Sequence, residues 1–208
     1  MDSLGYNPIK TSNATGSFNV ESVGYVQGVA MAAPSIRNSL AGGVLAADET
    51  LPMWGGVGIY ENVRGGVAAP GAVLGGIVGR ATSLTAAAAK SLTGFSVFDQ
   101  AHHMVQTPTS EVPVSLSNMS VHFYRFGSGA RIPVLCDPAL IDLQGQIITS
   151  EVGWDFVNQM LIAAATPADA IPVRVLDVKA TNCMTVAYDA VTKFATWNRN
   201  GCCALIVI

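Results

Sequence analysis

Few side chains in this sequence stand at a spacing that chemistry requires. His102 and His103 are adjacent, so on a strand they point to opposite faces and cannot chelate one metal together. A site across strands together with His122 is the remaining arrangement, and no carboxylate or cysteine sits at ligand spacing; surface or satisfied core histidines are expected. Ser96, in "GFSVF", lacks the second glycine of a nucleophile elbow, and no His or Asp stands in a motif that would complete a triad. Two acidic pairs have the composition of a glycosidase site, Asp48 with Glu49 and Glu151 with Asp155. The first pair lies in a turn, where Asp is expected for its backbone hydrogen bonding. The second flanks Trp154, an arrangement that suits a sugar site and equally suits a core aromatic beside solvated surface. "GGVGIYENVRGG" has neither the Walker lysine nor a GxGxxG spacing. No residue is assigned to catalysis, a cofactor or a metal, and a protein that is not an enzyme is expected.

Cysteine usage points the same way. Cys136, Cys183, Cys202 and Cys203 contain no CxxC spacing for zinc or redox work. Free, buried thiols in a reducing compartment are expected, with a bridge from Cys202 or Cys203 to Cys183 left open.

The composition explains why the elements around these residues matter more than the residues themselves. Half of the 208 residues are hydrophobic and 12% are charged, where an ordinary globular domain carries about 25%. The apolar residues are spread along the chain. Their densest block, residues 65–79, holds six glycines and a proline in 15 residues and is closed by Arg64 and Arg80. It is too short and too broken for the roughly 20-residue helix that a bilayer needs. No secretory signal opens the chain, so a protein without membrane association is expected. Fourteen acidic and eleven basic residues give a net charge of −3, with no basic cluster to displace counterions from phosphates, which argues against nucleic acid. A chain this poor in charge is expected to bury much of its outside on other subunits, since interface cores are depleted in charge. A monomer with a neutral surface is the alternative.

Residues 1–18 are polar and turn-rich and read as an extended arm with Tyr6, Ile9 and Phe18 as anchors. From there to residue 208 the chain reads as a β-rich domain, with a sub-boundary near residue 166. "VGYVQGVAMA", "MWGGVGIY" and "AVLGGIVGRA" are strands by length and composition, their glycines marking bends or close backbone approach. "ADET" and "APG" supply turns. Residues 82–94, "TSLTAAAAKSLTG", predict a short helix capped by Ser83 or Thr85 and ended by Gly94. In "MSVHFYRF" neither alternating face is wholly polar, which suits a strand covered on both sides. "GSG" then turns the chain into a partner strand, "ARIPVLC", with Pro133 near an edge. "GQIITS", "IPVRVLDVKA", "CMTVAYD", "KFATW" and "CCALIVI" continue the series, while residues 153–166 fit strand or helix. Phe123, Tyr124, Phe126, Trp154 and Phe156 read as core or subunit-interface anchors. The fold class is all-β, a barrel or a jelly-roll or sandwich-like domain, with an extended N-terminal arm and at most one or two short helices.

Two segments add a family resemblance. "GGVLAADETLPMWGGVGIYENV" followed by "GGVAAPGAVLGGIVGRA" resembles the structural cement, or decoration, proteins of tailed-bacteriophage heads. In that family an "AADE"-like turn leads to a glycine-rich strand and a closing element that stands here as Gly76-Ile77-Val78-Gly79-Arg80-Ala81. "GFSVFDQAHHMVQTPTSEVPV" with "ARIPVLCD" is similar to the same family's strands around a "VP" or "IPV" step. The resemblance covers about half of the chain. It implies a β-barrel or jelly-roll-like subunit on the capsid exterior, a dimer or trimer that bridges neighbouring major capsid proteins. The partners implied are the major capsid protein and copies of the chain itself, and the location is the virion surface after synthesis in the host cytoplasm. Interface residues expected on this reading are Tyr6, Ile9, Phe18, Tyr124, Trp154 and Phe156. Two alternatives stand beside it: another virion part, in the minor capsid or tail, and a virion-associated protein that binds or hydrolyses glycans.

Overall fold

Alternating apolar residues in short, glycine-punctuated segments build three sheets in the computed structural model, which describes residues 24–30, 34–62, 76–85, 88–98, 111–143 and 152–208. The first sheet closes on itself. Strands β1 (Ala41–Leu45), β2 (Gly58–Asn62), β3 (Gly76–Arg80), β4 (Gly94–Ser96) and β5 (Ser120–Arg125) form a five-stranded barrel in the order β1-β3-β2-β4-β5. The β1–β3 pair is parallel and the other pairs are antiparallel. The second sheet has the order β6-β10-β9, from β6 (Arg131–Leu135), β9 (Arg174–Asp189) and β10 (Phe194–Val207). Strands β7 (Val152–Asp155) and β8 (Met160–Ala163) form a separate hairpin. Among the described residues helical structure is slight: the single turn α1 (Pro34–Arg37) and two 3-10 segments, Pro138–Leu143 and Pro167–Asp169. The all-β expectation with a barrel therefore holds.

The alternation along β5 decides where the two cores lie. Val121 and Phe123 point into a cluster with Leu45, Ile59 and Val78, which fills the barrel. Tyr124, on the opposite face, joins Phe95, Trp154, Ile132, Val178 and Ile206 in a second cluster. That second core lies between the outside of the barrel wall and the other two sheets. The expectation of a strand covered on both sides is met because each face serves a different core.

Several local expectations give way to tertiary pairing. The described residues of the alanine-rich segment 82–94 form no helix. Thr82 N–H donates to Lys90 O at 2.9 Å and Leu92 N–H to Ser83 O at 2.9 Å, so its two ends pair with each other. Ser83 Oγ accepts from the Thr85 amide in a local turn, and Gly94 begins β4. A single short segment gains little from helix propensity, and backbone bonds to its neighbours outweigh it. The strand after "GSG" does not pair with β5. Its partner is β10, through Pro133↔Leu205 and Val134↔Ala204, which leaves β6 on the edge where its proline is tolerated. Residues 153–166 resolve to the β7–β8 hairpin. "IPVRVLDVKA" and "CMTVAYD" merge into the 16-residue β9, and "KFATW" with "CCALIVI" into the 14-residue β10. The described residues of "VGYVQGVAMA", 24–30, contribute a bridge at Val26 instead of a strand, and "MWGGVGIY" becomes a strand only from Gly58. The arm, the "APG" turn and "GQIITS" lie outside the described residues.

Candidate interaction surface

Two hairpins end in the same turn. In the β7–β8 hairpin the Asp155 carboxylate accepts from the amides of Val157 at 2.8 Å and Asn158 at 3.0 Å. In the β9–β10 hairpin Asp189 accepts from the amides of Val191 at 2.8 Å and Thr192 at 3.3 Å. Each four-residue turn closes with a residue in the left-handed region, Gln159 (φ 54) and Lys193 (φ 59). These bonds stabilise both carboxylates and hold their pKa values below the usual range. The same geometry pushes a valine outward at each tip: Val157 is 90% exposed and Val191 is 89% exposed, with Phe194 beside the second at 42%. The pattern D-x-V followed by a polar pair, "DFVNQ" and "DAVTK", is visible in the chain and is the signal that a search for catalytic groups passes over.

The second of these tips stands on a long support. Sixteen residues at about 3.3 Å each give β9 a length of roughly 50 Å. Near its base the sheet contributes Val175, Val178, Ala204 and Ile206 to the outer core, and nearer the tip it contributes Val186 and Ala195 to the barrel cluster. Tyr188 and Trp197 pack against Trp54 and Phe98, with ring centroids 5.6 and 5.7 Å apart. The ribbon is thereby held along most of its length, and its tip is presented on a rigid stem.

The segment that follows the N-terminal region is fastened to this ribbon. Gln27 is 1% exposed. Its backbone amide donates to Met184 O at 2.8 Å, its side-chain oxygen accepts from Val186 N–H at 2.9 Å, and its side-chain nitrogen donates to Gly55 O at 3.3 Å. Just beyond it the chain crosses the 55–56 turn so closely that a side chain on Gly28 (φ 75) would run into the Gly55 backbone. Tyr25 Oη donates to Asp177 at 2.5 Å, and burial with that carboxylate pushes the phenol well up. Residues 24–28 are thus a strap that ties the chain to β9.

The residues singled out from sequence fall in three groups. Tyr6, Ile9, Phe18, His102, His103 and Glu151 lie outside the described residues. Tyr124 and Trp154 are 3% and 4% exposed, so they serve the core of the protomer and are unavailable as surface anchors; Phe156 is half-buried against the same core. Their aromatic character is explained by the packing between sheets. The remaining polar candidates have structural partners. Ser96 is fully buried and its Oγ donates to Trp54 O at 2.6 Å while accepting from Val57 N–H at 3.0 Å. Glu49 pairs with Arg80 at 3.0 Å, Asp48 with Lys90 at 3.3 Å, and Glu61 takes Arg125 in a two-point contact at 2.6 and 2.7 Å. All four cysteines are buried and free. Among the described residues no group of three or more His, Cys, Asp or Glu side chains is placed to hold a metal ion, and no helix is long and apolar enough to cross a membrane.

No protein-family model, curated protein or solved structure matches the chain.

Proposed function

We propose that this chain is a capsid cement protein, a non-enzymatic subunit that binds the outside of an assembled bacteriophage head and bridges major capsid subunits. The observation that carries the reading is the pair of apolar hairpin tips, Val157 and Val191, fully presented to solvent by a chain with 12% charged residues. Exposed apolar side chains on rigid turns are what a docking surface offers, because ordering them on binding costs little entropy. The resemblance of residues 42–81 to head decoration proteins names the partner. The strap at residues 24–28, which follows the arm in sequence and is bonded to the long ribbon, supports a role for the N-terminal arm. The mechanism is mass action: a protein that binds only the assembled shell stabilises that shell. Many identical contacts on one lattice then sum from modest individual affinities.

The test is occupancy on purified, expanded heads. Wild-type protein is expected at hundreds of copies per particle. The Val157→Asp/Val191→Asp double variant, and separately deletion of residues 1–18, are expected to fold normally and to lose at least tenfold in occupancy, about 1.4 kcal/mol per site. A wild-type protein that sediments as a lone protomer and shows no affinity for heads would overturn the reading.

A further inference from the structure

The four buried thiols are placed as two facing pairs. Adjacent residues on a strand point to opposite faces, so Cys202 and Cys203 cannot serve the same neighbour. Cys136 continues β6 by one residue, directly across from Cys202 in the antiparallel register set by Leu135↔Cys203. Its amide donates to Cys202 O at 3.2 Å, and the two sulfurs stand 3.0 Å apart. Residues directly opposite in such a ladder have Cα atoms about 5.5 Å apart, inside the range that a disulfide spans. On the other side of β10 the register slips between Gly201↔Cys183 and Cys203↔Lys179. Asn182, in the left-handed region at φ 62, turns the bulged β9 so that Cys183 Sγ curls back to Lys179 O, at 3.8 Å, and Lys179 is the residue directly across from Cys203.

From this geometry we propose that β6, β10 and β9 carry two oxidisable cross-strand pairs, Cys136–Cys202 and Cys183–Cys203, which close as disulfides when the protein meets a peroxide-class oxidant. Closure ties the three strands of the sheet to one another on both sides of β10. It does not depend on which partner the hairpin tips meet.

The step balances for each pair. A thiolate attacks one peroxide oxygen, the O–O bond breaks, and a sulfenic acid forms as the first water leaves. The facing thiol then attacks the sulfenic sulfur, the S–S bond forms, the S–O bond breaks, and a second water departs with the remaining proton. Two thiols are oxidised by two electrons and one peroxide is reduced to two waters. Cys183 is suited to begin, because hydrogen bonds from the Cys203 thiol and the Tyr25 amide hold its pKa down to about 7. Burial pushes Cys136 and Cys202 up, which makes theirs the slower pair. All four thiols are buried, so a small oxidant is required and bulky disulfide reagents are excluded by access.

Full-length protein treated with hydrogen peroxide, then denatured in an alkylating agent, tests the assignment. Wild type is expected to lose all four titratable thiols, with an intact mass lower by two hydrogens per pair. Cys136→Ser is expected to leave one free thiol, at Cys202, and Cys183→Ser one, at Cys203; the Cys136→Ser/Cys183→Ser variant leaves both and forms no internal disulfide. Should a serine variant fail to fold, wild type still decides: oxidation is expected to raise its melting temperature by roughly 10 °C, reversibly with dithiothreitol. Four thiols still titratable in wild type, a Cys202–Cys203 bridge in the double variant, cross-links between chains, or thiol loss with a gain of oxygen mass would each overturn the proposal.

Discussion

Phe95 and Trp154 meet edge to face, with ring centroids 4.8 Å apart and planes inclined at 71°. The contact joins the outside of the barrel wall to the β7–β8 hairpin, and three neighbours are arranged around it. Gly58, on β2, leaves the space the indole occupies: a Cβ there would lie 2.7 Å from Trp154 Nε1. The Gln159 side-chain oxygen accepts from both Trp154 Nε1–H at 3.3 Å and Gly58 N–H at 3.1 Å. Phe126 closes the other side of Phe95 at 5.9 Å. Trp154→Ala is therefore expected to cost about 3–5 kcal/mol in denaturant unfolding, from lost burial and the cavity left behind. Binding to any partner, measured per folded molecule, is expected to be unchanged. A loss below 1 kcal/mol together with a lost binding signal would return Trp154 to the surface role that its sequence context suggested.

Arg80 is a cation held inside the wall of the barrel. It is 10% exposed at the side chain, pairs with Glu49, donates to the carbonyls of Leu51 and Pro52, and lies 5.1 Å over the Trp54 ring. Burial lowers its pKa while Glu49 raises it, and a guanidinium stays charged regardless. Glu49→Gln leaves that charge without its counter-ion and is expected to destabilise by about 3 kcal/mol. Replacing both residues by methionine is expected to cost less than the single change. Equilibrium unfolding of the single and double variants checks this, and additive losses would refute the ion-pair account.

Gln27 fastens the strap to the ribbon through its side-chain oxygen and to the 55–56 turn through its side-chain nitrogen. Gln27→Ala strands the Val186 N–H, a buried donor, and is expected to cost about 1–3 kcal/mol. Hydrogen exchange gives the sharper readout. Protection at Val186 and Met184 is expected to fall, while protection at Ile132 and Val134 in β6 stays at wild-type level.

The turn carboxylates give a signed pH dependence. Asp155 is depressed first by the Asn158 backbone amide, then by the Asn158 side chain and the Val157 amide. A group lowered in this way contributes stability above its unfolded value, near 3.8, and loses it as pH falls through the lower folded value. The stability gap between wild type and Asp155→Ala is accordingly expected to be full at neutral pH and to close in acid. Carboxyl NMR titration combined with unfolding at several pH values measures it; a gap that widens on acidification would reverse the sign. Asp189, held by Val191 and Thr192, is expected to titrate in the same direction.

Much of the architecture was legible in the chain because its causes are local. Alternation along 119–126 announced a strand with two apolar faces, and Phe123 and Tyr124 do fill different cores. Glycine density before residue 60 announced close backbone approach, and Gly28 crosses Gly55. The scarcity of charge and of helix signals narrowed the fold class to β-barrel or sandwich. The site was less legible. Search patterns for catalysis drew attention to Ser96, Asp155 and Trp154, which are a buried loop anchor, a turn former and a core ring. The repeated Asp-x-Val pattern is not identifiable as a pair of tips from sequence, because turn chemistry alone does not tell which turns end well-supported hairpins.

Strand character and turn positions follow from the order of residues, since period and turn preference act over a few bonds, and the scarcity of charge follows from composition. Which strands become neighbours does not. Residues 82–94 have the composition of a helix, and yet Thr82 pairs with Lys90 and Leu92 with Ser83; β6 follows a glycine turn and yet pairs with β10, 66 residues away at Cys136 and Cys202. Backbone hydrogen bonds are nearly interchangeable between partners, so the choice falls to the packing that each pairing permits, and here that is two cores sharing one barrel wall.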